Sequence, residues 1–392
     1  MTDATLTSVR RLRSRAQVLE AIRGANGVTR TELHRLIGLS RSAVAEAVQD
    51  LIDDLLVVEE TPPPRGRGAG AGRPAGVLLP RADRGLVAGL DFGHAHIAAA
   101  LADTNGTVLG ERRRALDVDR RPADAFDAVT ALVLELLVEA GRTIDDVRAV
   151  AAGIPTPLDL RTGRPHSHPV LAGWQGLDPA AELRERLDRP ITVANDADMG
   201  ALGELRYGAA RGLRDFVYVK VSAGVGASLV LEREVHRGAT GLAGEIGHIR
   251  LSERGGLPCR CGNRGCLETV LSTNVMEARF RDLVSPDTDP VFPLRAHSGD
   301  PAIATYIREA GRTLGRALAD LSNWVNPQAV VLGGVFGTAG PAAADAVREG
   351  ISRFAAPIQG AGIEVRTGEL GLRSELMGAV ALACRSARDF AG

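Results

Sequence analysis

Lysine is almost missing from this chain: Lys220 is the one lysine among 47 basic residues, and all the others are arginine. Alanine and glycine are abundant alongside, which fits the codon usage of a GC-rich genome, so the bias is not in itself a binding signal. No apolar run approaches the roughly 18 residues of a membrane span. A chain with 24% charged and 45% hydrophobic residues is also too apolar to be a disordered tail. Residues 1–10 lack an apolar stretch followed by a small-residue cleavage site, so no secretory signal and a cytoplasmic location are expected. Cysteine is scarce too, four in 392 residues, which excludes a disulfide framework. Acids and bases nearly cancel to a net charge of −1, so the whole-chain charge points to no polyanionic partner. At about 100 to 200 residues per domain, two or three domains are expected.

The charge is unevenly placed. Between Arg10 and Arg41 stand eight arginines against two acids, Glu20 and Glu32, a local charge of +6. Ala16, Val18, Leu19 and Ile22 make an apolar stripe on a first helix that Gly24 and Asn26-Gly27 end. Thr29 with Glu32 reads as a capping box for a second helix, whose buried face is expected to be Leu33, Leu36 and Ile37. Gly38-Leu39-Ser40 forms a turn. Ser40 caps a third helix with Val44, Val48, Leu51 and Ile52 inward, which together read as a helix-turn-helix. In that motif the residues opening the second helix enter the DNA major groove, here Ser40, Arg41, Ser42 and Ala45, with Arg41 suited to a guanine edge. Thr29 and Arg30 join them as candidate DNA contacts. Residues 56–60 and 76–79 read as the strands of a wing. Between them, residues 62–74 have no apolar face and form an arm whose Arg65, Arg67 and Arg73 suit a minor groove, or else a plain linker.

From Leu86 onward short β-rich runs alternate with helices, the pattern of an α/β domain with a largely parallel sheet. Strands are expected over 86–91, 97–103, 147–154, 191–194, 216–221, 227–231, 329–332 and 363–366. Helices are expected over about 123–140, 197–207, 273–283, 301–325, 342–355 and 372–387. Hairpins near Leu86 and Phe216 suggest two similar lobes with a cleft between them. The sharpest local signal is Cys259-x-Cys261-x4-Cys266, three soft ligands on a Gly-rich loop. Zinc needs a fourth, for which His248 is the best candidate, leaving its other ring nitrogen free to donate to a ligand hydroxyl.

These motifs carry a resemblance. Cys259 to Glu268, preceded by Glu245-Ile-Gly247-His248 and Asn195-Asp196-Ala197, resembles the ROK family, named for repressors, open reading frames and kinases. The resemblance implies an actin-like, hexokinase-like fold of two ribonuclease-H-like lobes over residues 83–392. Lobe I would be about 83–205 plus the C-terminal helix 372–390, and lobe II about 206–371. Residues 1–82 would be a winged helix-turn-helix. The family's sugar-binding residues map onto Asn195, Asp196, Glu245, His248 and Glu268, with Asp196 at the position of the kinase general base. His248, Cys259, Cys261 and Cys266 would hold one structural zinc ion. Trp174 resembles a family segment near the sugar, although core packing accounts for it equally well.

Both phosphate loops depart from the kinase pattern. Asp91-Phe92-Gly93-His94-Ala95 replaces Asp-x-Gly-Gly-Thr, and Ser222-Ala223-Gly224-Val225-Gly226 replaces Gly-Thr-Gly-x-Gly. Phosphoryl transfer depends on positioning at those oxygens, so a non-enzyme is expected. The expected function is sugar-responsive repression of carbohydrate genes, by a homodimer or homotetramer on a palindromic double-stranded operator. The effector would be a small sugar or sugar phosphate, and the protein would associate with the nucleoid when bound to DNA. The alternative is a sugar kinase that kept a DNA-binding domain.

Overall fold

The computed structural model describes residues 14–15, 17–22, 24–25, 27–53, 56–60, 76–80, 85–166, 173–252, 255–280, 299–360 and 362–389. Contacts divide the chain into two compact units, one of residues 1–85 with 103–107 and one of the remainder. Among the described residues no helix is long and apolar enough to cross a membrane.

In the first unit, helical residues 17–22 precede β1 (Val28–Thr29), α1 (Arg30–Ile37), α2 (Arg41–Asp53), β2 (Val57–Glu60) and β3 (Val77–Pro80). The capping box is formed: Glu32 N–H donates to Thr29 Oγ1 and Thr29 N–H to Glu32 Oε2. Gly38 closes α1, and three residues later α2 begins, with Ser40 Oγ accepting from Ala43 N–H. The strands pair in the order β1-β3-β2, completing a winged helix-turn-helix. Val18, Ile22, Leu33, Val48, Leu51 and Leu78 fill its core. Leu36 departs from expectation. It is 66% exposed, because α1 is short and only the Leu33 side of it meets α2 and the sheet, with Ile37 partly buried. The arm with Arg65, Arg67 and Arg73 lies outside the described residues.

In the second unit the chain builds the same sheet twice. First come β4 (Leu86–Phe92), β5 (His96–Asp103), β6 (Val108–Ala115), α3 (Pro122–Glu139), β7 (Val147–Ile154), α4 (Pro179–Leu187) and β8 (Ile191–Asn195). Their order is β6-β5-β4-β7-β8, with β4, β7 and β8 parallel and β5–β6 a hairpin turned at Asn105-Gly106. After α5 (Asp196–Tyr207) follow β9 (Phe216–Val221), β10 (Val225–Leu231), β11 (Glu234–His236), α6 (Glu268–Leu271), α7 (Thr273–Phe280) and α8 (Pro301–Val325). The remainder is β12 (Ala329–Gly333), α9 (Gly334–Gly337), α10 (Pro341–Phe354), α11 (Pro357–Gly360), β13 (Glu364–Thr367) and α12 (Ser374–Asp389). The order β11-β10-β9-β12-β13 repeats the first sheet position by position.

Central strands carry apolar residues on both faces because both faces are covered. Every residue of β4 is buried. Phe92, Phe126 and Trp174 pack together on the outer face of the first sheet, and the Trp174 indole N–H donates to Val118 O, so this tryptophan belongs to the core. On the outer face of the second sheet, Ile307, Leu314 and Leu318 of α8 meet Val347 and Ile351 of α10. The inner faces rest on α5 and α12, through Met199, Ala379 and Val380 for one sheet and Ala201 and Leu205 for the other.

These two helices cross in backbone contact. A β-carbon on Gly203 would lie 2.1 Å from Ser374 O, and one on Gly378 would lie 1.7 Å from Met199 O, so neither position admits a side chain. Near the crossing Glu204, fully buried, accepts from the N–H groups of Ala209, Glu369 and Leu370 and from the Ser374 hydroxyl. One carboxylate thus ties the end of α5 to the turn that starts α12. Glu204→Ala would strand one buried and two partly buried amides and leave the Ser374 hydroxyl only Gly371 O as an acceptor. It should cost about 3 kcal/mol or more, since each unmet buried donor costs roughly 1 to 3 kcal/mol, read as a lowered denaturation midpoint. Glu204→Gln should lose less.

Candidate functional site

The ends of β4, β8, β9 and β10 open on one cleft of about 350 Å³ between the two sheets. Asn195, Asp196, Glu245, His248 and Glu268, the five expected ligand residues, all line it. Asn195 and Asp196 stand where β8 becomes α5. Both side chains accept from Ala197 N–H, which seats them at the electropositive start of the helix. Glu245 comes from the loop after β11, which Asp198 anchors by accepting from Arg237 Nε at 3.0 Å and from Ser228 Oγ at 2.7 Å. Burial first, and then the charges of Asp196, Glu268 and Asp198, push Glu245 up to about 7. Glu268 is steered by Arg260 Nε at 3.3 Å and by Val225 N–H at 3.4 Å.

Lys220, absent from the expected set, lies in the middle of this wall. Its Nζ donates to Asp196 Oδ2 at 2.8 Å and sits 3.4 Å from Glu375 Oε1 of α12. The Tyr218 hydroxyl donates to the same Glu375 oxygen. Burial disfavours the charge on Lys220, but Asp196, Glu375 and Asp91 outweigh it and hold its pKa above that of a free lysine. His96 is a second unforeseen member. Its Nε2 bonds Asp91 Oδ2 at 2.9 Å, and its ring covers Gly93 so closely that a β-carbon there would meet it at 2.1 Å. Asp91 Oδ1 is buried with no hydrogen-bond partner. In the second glycine loop, Ser222 Oγ accepts from Val335 N–H at 3.3 Å.

Beside the cleft the ligand atoms of His248, Cys259, Cys261 and Cys266 all lie within 4.8 Å of one another. Cys259 Sγ is 3.6 Å from His248 Nδ1, and Cys261 and Cys266 sulfurs are 3.7 Å apart. With metal–sulfur bonds of about 2.3 Å, such edges fit a tetrahedral ion, so these residues can hold a metal. The chain itself holds the thiols together: Leu251 N–H donates to Gly265 O and Cys259 N–H to Asn263 O. His248 Nδ1 faces the sulfurs while Nε2 lies 3.7 Å from Glu245 Oε2, so the ring joins the metal cluster to the cleft.

Of the candidate DNA contacts, Ser40, Arg41 and Ser42 are exposed at the start of α2. Thr29 and Arg30 are engaged internally. Thr29 caps α1, and Arg30 forms a two-point bond with Glu59 of the wing, at 2.8 and 3.2 Å.

The family model for ROK matches residues 87–386. The chain belongs to the ROK family. Its two-lobed, doubled sheet is the actin-like fold of ROK proteins. The xylose repressor of Caldicellulosiruptor bescii is 26% identical over 379 residues, 93% of this chain and 94% of the repressor. A ROK family transcriptional regulator, homolog of the E. coli MLC protein, superposes with a TM-score of 0.74 over 97% of both chains at 22% identity. A ROK family glucokinase from Streptomyces griseus, solved with glucose and AMPPNP, is 28% identical with a TM-score of 0.66. It covers 77% of this chain and 100% of the kinase.

Buried thiols bind a metal only by losing protons, and in the metal-free site burial first, then the neighbouring sulfurs, pushes Cys266 up to about 12. Loading one metal equivalent should therefore release protons at neutral pH, measurable by calorimetry in buffers of different ionisation enthalpy. Cys261→Ser should weaken metal binding by about ten-fold or more and lower the melting temperature.

Proposed function

We propose that this chain is a DNA-binding transcriptional repressor that responds to a small sugar held in its cleft, and that it has no kinase activity. The observation that carries the reading is one of extent. A repressor relative aligns over 93% of the chain, whereas the glucokinase, matched over its whole length, covers 77%. The remainder accommodates a winged helix-turn-helix, a DNA-reading module that sugar phosphorylation does not need. Two contacts argue against turnover: His96 occupies the space above the first glycine loop, and Ser222 takes an amide of the second.

In this reading Asn195, Asp196, Glu245, His248 and Glu268 bind the sugar, whose ring of hydroxyl donors suits carboxylates, an amide and an imidazole in a sheltered cleft. Zinc is the ion that His248, Cys259, Cys261 and Cys266 hold, and it stiffens the loop that presents Glu245 and Glu268. Ser40, Arg41 and Ser42 read the operator. Arg65, Arg67 and Arg73 of the arm follow the minor groove. Thr29 and Arg30, taken up in bonds within the unit, act by shaping it. Trp324 and Ile358, exposed, and Phe354, half-exposed, are large apolar side chains that this unit leaves uncovered, which supports a homodimer or homotetramer, and hence a palindromic operator. Residues 1–82 would bind DNA and 83–392 the sugar, the protein working in the cytoplasm at the nucleoid.

A ligand moves such a protein only by binding one arrangement better than the other. Operator binding measured by anisotropy against a panel of pentoses, hexoses, N-acetylhexosamines and their phosphates should therefore shift by about 5- to 150-fold with one of them. Asp196→Asn should abolish that shift and leave sugar-free operator affinity intact. Arg41→Ala should cost about 1 to 3 kcal/mol and relax preference at one base pair. Silence to every sugar would overturn the effector role, and ATP consumption with any of them would make the chain a kinase.

A further inference from the structure

The lone lysine bonds two acids of the crossing helices, Asp196 and Glu375, and a third, Asp91, is near enough for its charge to act on it. Lys220 lies on β9, in the second sheet. Asp91 lies on β4 in the first sheet, while Asp196 starts α5 and Glu375 lies in the first turn of α12, the two helices on which both sheets rest. All four side chains are withdrawn from water: Lys220 is 14% exposed, Asp196 15% and Glu375 5%, and Asp91 is buried. Three carboxylates gathered in such a place repel one another, and burying them without a cation is costly. Only part of Asp91 is satisfied, since His96 takes one oxygen and the other has no hydrogen-bond partner. Both oxygens of Asp196 accept from the protein itself, one from Ala197 N–H and one from Lys220.

In phosphoryl-transfer sites, the positive charge that gathers acids and phosphates is supplied by a divalent cation arriving with the nucleotide. We propose that Lys220 is a built-in replacement for that cation: its ammonium binds Asp196 and Glu375 and balances the nearby charge of Asp91, so the second sheet stays pinned to the ends of the two crossing helices without nucleotide or divalent metal. The same contact occupies the Asp196 oxygen that would otherwise be free to take a proton from a bound hydroxyl. Lys220 is thus a positioning residue, and it acts through Asp196. Its role stands independently of whether the chain is a repressor.

The test uses the full-length protein with its Cys3His metal centre loaded, and reads the thermal midpoint rather than operator binding. In the wild type, magnesium chloride should leave the midpoint unchanged and show no binding heat. Lys220→Met should lower the midpoint by several degrees, and millimolar magnesium should restore most of the loss. Adding Asp91→Asn to Lys220→Met should remove the magnesium effect. Adding Glu375→Gln instead should recover stability with no metal, since it removes one of the repelling charges. Lys220→Arg, which keeps the charge, should stay close to wild type. A Lys220→Met midpoint equal to wild type would overturn the proposal. So would a loss that neither magnesium nor Glu375→Gln repairs, because Lys220 would then only be filling space, and so would magnesium binding in the wild-type cleft.

Discussion

Everything in the larger unit depends on two helices crossing with no side chain between them. Gly203 and Gly378 let α5 and α12 meet backbone to backbone, and the inner faces of both sheets rest on that pair. Because α5 begins with Asp196 and α12 carries Glu375 in its first turn, the crossing fixes how far apart the cleft's carboxylates stand. Glu204 locks the far end of α5 with four hydrogen bonds. Because Glu204 bonds Ser374, the residue beside Glu375, the lock lies at the same end of α12 as its cleft carboxylate, while Asp196 faces the ligand from the other end of α5.

The opposite wall of the cleft is a loop, and loops keep a shape only when something other than secondary structure holds them. Two devices serve here. Asp198, reaching from α5, grips Arg237 and Ser228 and so fixes the approach to Glu245. Further on, the three sulfurs and His248 converge, and the imidazole spans from that cluster to Glu245. The acids of the loop are thus referenced both to the helix crossing and to the cluster of three cysteines and His248. A ligand that touched Asp196 and Glu245 together would sense the relative position of both.

Periodicity was enough to place most strands and long helices, since central strands buried on both sides and the 25-residue α8 leave continuous or regularly spaced apolar residues. The cysteine cluster was legible because three soft ligands seldom crowd into eight residues of a cysteine-poor chain unless they share a metal. Short elements carried too little pattern: β1 has two residues, β11 three, and α4 nine, with only Pro179, Leu183 and Leu187 buried. Leu36 fits the helical period but points to solvent, because a period states which residues share a face and not how much of that face is covered. Trp174 fits core and cleft alike by sequence, and its enclosure by Phe92 and Phe126 puts it in the core. The cleft's cationic half was missed for a different reason. Asp91 opens the first phosphate loop and His96 lies just beyond it, but Lys220 and Glu375 are brought to that pair by folding across much of the chain, and no local motif joins them to it. One signal did exist. In a chain that uses arginine everywhere else, a position that keeps lysine needs a compact point charge with no planar fork, and the site between Asp196 and Glu375 supplies that need.

That solitary lysine also makes the protein its own chemical reporter. Acylating reagents attack a neutral amine, and Lys220 presents one only when it loosens from its carboxylates and loses a proton. The rate at which it acquires a label would therefore time the opening of the cleft. With no other lysine to compete, the α-amino group is the one other amine to tell apart, and a peptide map separates the two labels.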